Sequence, residues 1–251
     1  MINKSEWETQ WEETPFERYY GVERYFALNR KLMALFKLYL PKGNKKILEI
    51  GCAKGKNLIY FSQDFGYQLH GIDYSEHGAM SAKQNLKIAG LDADIRCEDM
   101  YHTTFEPESF DVVYSMGLIE HFDNPSGAID AHLKLLKKEG ILILTVPNFG
   151  KSIYRTLNKW MRKWDGITET HNIKLLNRKS LHDSVTGKGL KLLRVGYLGV
   201  VDLDLIFCRV KMNNFWNILI NAVNQVVCYS LYFAPTSSYF SPYIVLIARK
   251  R

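Results

Sequence analysis

The chain has 251 residues, 47% apolar and 24% charged. That is long enough for a full hydrophobic core and ordinary for a globular protein, so fibrous and disordered classes are excluded. The net charge of +7 is lopsided: residues 1–149 hold 17 Lys/Arg against 21 Asp/Glu, and residues 150–251 hold 16 against 5, a surplus of +11.

A basic second part suits an anionic partner (nucleic acid, acidic lipid or a phosphorylated substrate) or is simply a solvated face. The four cysteines (Cys52, Cys97, Cys208, Cys228) are scattered without a C-x-x-C pair. This speaks against zinc and disulfide frameworks and for a reducing, cytoplasmic setting; no metal is expected in the site. The first residues hold no apolar run, so no secretory leader is expected.

Residues 5–40 are rich in aromatic and charged side chains. Helical spacing over 25–40 stops at Pro41 and Gly43, and residues 1–44 read as a helical cap. From Lys46 the rhythm changes. Strands are expected over 46–50, 68–73, 93–97, 110–115 and 140–146, with helices over 57–65, 77–89 and 128–136 between them. This alternation predicts a doubly wound α/β domain over 45–251, with a mostly parallel seven-stranded sheet. Such sheets bind ligands at the carboxyl ends of their strands. Beyond residue 148 the pattern loosens into helices over 151–164 and 178–186, an extended segment over 190–205, an uncharged helix over 215–233 and a closing strand over 243–248. Insertions are therefore placed at about 148–178 and 211–236.

The helix over 151–164 separates an apolar face (Ile153, Tyr154, Leu157, Trp160, Met161, Trp164) from a basic one. That pattern fits a pocket lid, or an interfacial helix that makes peripheral contact with anionic lipid. The 215–233 helix carries an Asn217, Asn221, Asn224, Gln225 stripe that would be costly in a bilayer. It reads as a cap over an apolar acceptor, or as a homodimer surface.

The first strand runs into Glu49-Ile50-Gly51-Cys52-Ala53-Lys54-Gly55-Lys56-Asn57, a turn whose glycines let the backbone pass close to a ligand. The next helix presents its unpaired N–H groups there. A dinucleotide site wants a middle glycine that this segment lacks. The second strand ends in Asp73, 22 residues after Gly51, where a carboxylate can accept both hydroxyls of a ribose or can cap the next helix together with Ser75. Glu98-Asp99-Met100 follows the third strand, and Phe110 to Ser115 leads into Met116-Gly117-Leu118-Ile119-Glu120-His121-Phe122.

In this order, the four segments resemble the cofactor motifs of class I S-adenosylmethionine-dependent methyltransferases. The resemblance implies that the turn made by Glu49, Gly51, Cys52, Gly55 and Asn57 faces the methionine part of S-adenosylmethionine, and that Asp73 holds the ribose. It further implies that Tyr74 and Met100 sandwich the adenine, that Asp99 accepts from its amino group, and that Ser115 and Met116 lie under the sulfonium. Ala53 departs from the pattern, since many relatives have glycine there.

Glu120-His121 is similar to the Glu-His of ubiquinone-biosynthesis O-methyltransferases and cyclopropane-fatty-acid synthases. This makes His121 the candidate general base, with Glu120 and His171 as acceptor-binding candidates; a packed histidine is the alternative. The expected activity is methyl transfer to an O or N atom of a small, lipid-like molecule. An RNA methyltransferase and a non-catalytic nucleotide-binding module are the alternatives. Tyr114-Ser115-Met116-Gly117 is not the Asn/Asp-Pro-Pro-Tyr segment of amino-methylating nucleic-acid enzymes, so nucleic acid is not the expected acceptor.

Overall fold

The computed structural model describes residues 4–12, 27–160, 170–201 and 214–251. The expected ends at 25–26, 161–164 and 202–205 lie outside them. In chain order the elements are α1 (Lys4–Glu12), α2 (Ala27–Tyr39), β1 (Lys46–Ile50), α3 (Lys56–Tyr60), β2 (Gln68–Asp73), α4 (Glu76–Ile88), β3 (Ala93–Cys97), β4 (Phe110–Met116), α5 (Pro125–Leu135), β5 (Leu136–Pro147), α6 (Ile153–Trp160), α7 (Arg178–Asp183), β6 (Leu190–Leu198), α8 (Asn214–Ser230) and β7 (Tyr243–Lys250). A wide π turn, Phe61–Phe65, continues α3.

The strands form one sheet in the order β3-β2-β1-β4-β5-β7-β6. Strands β1 to β5 run parallel, and β7 is antiparallel to both β5 and β6. This is the expected doubly wound, mostly parallel, seven-stranded sheet. Its central strands are buried on both faces: Ile47 and Leu48 point to opposite sides and both are fully covered. On one side α2, α3 and α4 pack an aromatic cluster of Phe36, Tyr60, Phe61, Phe65, Tyr67 and Tyr114. On the other, Ile129 and Leu133 of α5 join Leu142, Leu144 and Leu181.

Local signals fix the helix starts. Ser75 caps α4 by accepting from Gly78 N at 3.1 Å. Asn124 caps α5 by accepting from Gly127 N at 3.0 Å, with Pro125 in the first turn.

Two helices bear on the expectations for residues 151–164 and 215–233. Among the described residues of the apolar face of α6, Tyr154 is fully buried, its hydroxyl donating to Phe240 O at 2.7 Å, Ile153 and Leu157 are half-buried, and Trp160 projects, 79% exposed. In α8, among the residues whose side chains are described, Asn224 is buried while Leu219, Val223 and Val226 are exposed. Among the described residues no helix is long and apolar enough to cross a membrane.

Candidate functional site

The carboxyl ends of β1 to β4 open onto a cavity of about 580 Å³, within the range of small-molecule sites. β1 leaves the sheet through a tight turn: Gly51 N and Cys52 N both donate to Ile72 O, at 2.8 and 3.1 Å, and Gly55 N donates to Cys52 O at 2.8 Å. At Gly55 the backbone is left-handed, φ +70°, and a Cβ there would lie 3.2 Å from Ala82 Cα on α4. Only glycine meets both conditions. Ala53 is held in the same half of backbone space at φ +33°, a strained position for a residue with a side chain, and its N–H donates to Asp73 Oδ2 at 2.8 Å.

Asp73, 6% exposed, ends β2; its second oxygen accepts from Ser75 N at 2.9 Å. Burial pushes its carboxyl up, and the N–H groups of Ser75 and Ala53 pull it back. It thus ties the glycine turn to the start of α4 while lining the cavity. Tyr74, with Lys4 Nζ 5.2 Å from its ring centre, flanks it. Asp99 and Met100 form the facing wall, Asp99 steadied by Tyr101 N at 3.0 Å. The cavity floor is Gly51, Met116, Gly117 and Leu118. Asp73, Glu98 and Asp99 make this half anionic, which suits a cationic ligand.

Several expected residues stand behind the wall. Glu49 is buried and accepts from Asn57 Nδ2 at 2.9 Å; its other oxygen has no partner, and burial pushes its carboxyl up to about 8. Neither residue lines the cavity, nor do Cys52 and Gly55. They brace the turn that does.

Ser115 is corrected more sharply. Strand alternation turns its side chain inward, where its hydroxyl donates to His132 Nε2 at 2.9 Å, so Met116 and Gly117 supply the floor. His132 is fully buried and pushed down to about 4 by burial, so it stays neutral at ordinary pH. Its Nδ1–H donates to Ala128 O at 2.7 Å, leaving Nε2 as the acceptor.

At the other end of the cavity stands His121, on a short 3-10 turn, Ile119–His121. Its Nδ1 lies 2.7 Å from Thr170 O, a geometry in which Nδ1 must donate, so that in the neutral ring the lone pair is on Nε2. Trp7 meets its ring edge-on at 5.0 Å, and the His171 ring is centred 4.4 Å away. His171 packs edge-on to Phe149 and does not line the cavity itself. Glu120 is 1% exposed, its Oε2 has no partner, and burial pushes its carboxyl up to about 8.

Ligand atoms of Glu120, His121 and His171 lie within 4.8 Å of one another, an arrangement able to hold a metal ion. The sequence reading, which expected no metal, looked for paired cysteines and passed over this set. It expected a helical cap over residues 1–44 without naming its site residues: Lys4, Trp7, Gln10 and Trp11 of α1 line the cavity, joined by Tyr101 and Phe122. The dense Trp and charge content of residues 4–12 was the only signal for that.

A protein family described as "Methyltransferase domain" matches residues 21–195. Two ubiquinone biosynthesis O-methyltransferases are among the similar sequences. That of Haemophilus ducreyi is 34% identical over 122 residues, 47% of this chain and 49% of the relative. That of Azoarcus sp. is 31% identical over 105 residues, 41% and 45%. The chain spans about half the length of the curated relatives it matches. Among solved structures, geranyl diphosphate C-methyltransferase from Streptomyces coelicolor A3(2) aligns with a TM-score of 0.66 over 99% of this chain and 97% of its own, at 13% identity. A phosphoethanolamine N-methyltransferase from Haemonchus contortus gives 0.62 over 88% and 52%, at 18% identity. At such identities these structures share the fold.

Proposed function

Because the chain belongs to the methyltransferase-domain family, we propose that it transfers the methyl group of S-adenosylmethionine to an O or N atom of a small, lipid-like acceptor. One observation carries this reading. A single cavity joins an anionic end, built on Asp73 and Asp99, to an aromatic end that holds His121. Bound S-adenosylmethionine would supply an electrophilic methyl group on a cationic sulfur. Asp73 would accept the ribose hydroxyls, Tyr74 and Met100 would flank the adenine, and Asp99 would accept from its amino group. Gly51, braced from behind by Glu49, Cys52, Gly55 and Asn57, would lie along the methionine part.

The remaining task is alignment and proton removal. Trp7, Trp11, Leu118 and Phe122 make an apolar wall suited to an apolar acceptor and to excluding water. Thr170 O fixes the His121 ring so that Nε2 takes the acceptor proton. Residues 45–251 form the catalytic unit, with residues 1–44 as its cap. None of residues 151–160 lines the cavity, and Tyr154 is buried in the core, so this segment braces the fold rather than closing over the site as a lid or anchoring it to lipid.

The test is calorimetry with S-adenosylhomocysteine. Asp73→Ala should weaken binding about tenfold or more, from charge-assisted hydrogen bonds worth ~1.5–3 kcal/mol. A folded Asp73→Ala protein with unchanged affinity overturns the reading, and cofactor binding without turnover on any acceptor would make the protein a binding module. A second reading is favoured by the 4.8 Å ligand cluster. In it Glu120, His121 and His171 hold a divalent cation that orients the acceptor oxygen. Turnover abolished by a chelator and restored by Mg²⁺ or Zn²⁺ would decide for it.

A further inference from the structure

The outer edge of the sheet, beyond β6, carries a second groove, of about 570 Å³, that takes no part in the site above. Its lining includes Arg178, Arg194, Tyr39, Tyr197 and the hydroxyl run Thr236–Ser238, with no acidic side chain. Arg194 projects from the edge strand. A Cβ on Gly196 would meet its Nε and Nη2 at 3.4 Å, so the guanidinium lies along the strand over the space this glycine leaves. Its Nε is buried without a hydrogen-bond partner. A charged N–H removed from water and left unpaired is rare in folded proteins, and it points to an acceptor from outside the chain. Arg178, at the start of α7, lies over the Tyr197 ring at 5.7 Å, a cation–π contact.

Among the described residues neither guanidinium has a carboxylate within ion-pair distance, whereas Lys188 and Lys250 do. The facing loop is built rather than loose. Ser237 Oγ accepts from Tyr239 N and Phe240 N, Ser241 Oγ accepts from Ser237 N at 3.0 Å, and Asn148 Nδ2 donates to Ser238 O at 2.9 Å.

We propose that this groove is a subsite for a phosphate-type oxyanion, gripped by Arg178 and Arg194 and rimmed by the hydroxyls of residues 236–238. Guanidinium forks match phosphate oxygens in pairs, and the chemistry is the same for a soluble phosphoester and for a phospholipid head group. It also gives part of the basic surplus after residue 150 a task. The inference stands apart from the methyltransferase reading, because the groove shares no residue with the cofactor cavity.

The test uses the full chain with inorganic pyrophosphate as the probe, followed by calorimetry. Wild type should bind, and Arg178→Gln and Arg194→Gln should each weaken binding about tenfold, or ~1.4 kcal/mol. Affinity for S-adenosylhomocysteine should not move in either variant, so failure here and failure of the cofactor site are told apart. A measurement on wild type alone guards against misfolded variants: pyrophosphate should protect Arg178 and Arg194, and not Arg249, from phenylglyoxal. Vesicles of phosphatidic acid that bind wild type but not the double variant would assign the anion to a lipid. Pyrophosphate binding without vesicle binding would assign it to a soluble phosphoester. No pyrophosphate binding, binding that survives both substitutions, or absent protection of both arginines overturns the proposal.

Discussion

Removing the Glu8 carboxylate should loosen the roof of the cofactor cavity. Helix α1 buries no residue completely, so packing alone holds it weakly. Its strongest tie is Glu8, which reaches the first turn of α4, 68 residues away, and accepts from Glu76 N at 2.9 Å. The same carboxylate accepts from His77 N at 3.2 Å and pairs with His77 Nδ1 at 2.5 Å. It is a helix cap supplied from another element, where unpaired N–H groups and the helix dipole favour an anion. Hydrogen bonds from Ser75 and His77 hold its pKa down at about 2, against an ordinary 4.5.

Taken at face value that displacement is ~3 kcal/mol, but the side chain is 28% exposed and solvent screens it, so ~1–2 kcal/mol is the working figure, also the range of a lost N-cap. Glu8→Ala should therefore lower the ratio of docked to undocked α1 by a factor of roughly 5 to 30. Dissociation of S-adenosylhomocysteine should quicken by a similar factor, read by stopped-flow fluorescence of Trp7 and Trp11. Because the folded carboxyl pKa is lowered, the latch is fully present above about 4.5 and fails as pH falls toward 2. His77 has the opposite sign: its pKa is raised by Glu8, so its help is complete below 6.5 and fades as pH rises through the raised value. An off-rate within twofold of wild type in a folded Glu8→Ala protein would refute the reasoning and leave α1 as an ornament on the surface.

His121→Ala should lower turnover by roughly 10²- to 10⁴-fold with S-adenosylhomocysteine affinity nearly intact; a loss below about threefold would leave methyl transfer to alignment alone. Gly55→Val should abolish cofactor binding, since the side chain meets Ala82 Cα at 3.2 Å and the left-handed backbone adds ~1–2 kcal/mol of strain, and retained affinity by calorimetry would show that the turn gives way. Trp160→Ala should leave vesicle sedimentation unchanged, because among the described residues of the α6 apolar face Tyr154 is buried and Trp160 alone projects, too little to anchor a helix; a clear loss from anionic vesicles at low salt would restore the interfacial reading of residues 151–164.

What was legible in the sequence were the features set by neighbouring residues. Strand β1, the glycine turn and Asp73 announce themselves, because a buried parallel strand needs an apolar run and its turn needs backbone freedom at fixed offsets. The single-residue errors are geometric. Ser115 lies one position from a strand end, and with a period of two a side chain one step out of phase faces His132 instead of the ligand. Asn224 belongs to the polar stripe of the uncharged helix; in the fold it is buried with its Oδ1 3.5 Å from Cys228 Sγ, while Leu219, Val223 and Val226 are exposed, a placement set by packing that spacing alone does not show. A cap over residues 1–44 was expected, but which of its residues reach the cavity was hidden for another reason. Nothing in Lys4–Glu12 has strong amphipathic spacing, and the contacts that give this helix a place, Glu8 on α4 and Trp7 on His121, join residues 68 and 114 positions apart. The pairing of Glu120 with His171 is of the same kind, made when Asn172 N donates to Glu120 O and draws the 170–172 segment onto the 3-10 turn. Local chemistry therefore sufficed to point to the half of the cavity proposed for the cofactor. The half proposed for the acceptor is assembled from segments that meet only after the sheet has formed, so a substitution at Trp7 or Trp11 of α1 is expected to change acceptor choice without disturbing the motifs by which the proposed cofactor half was read.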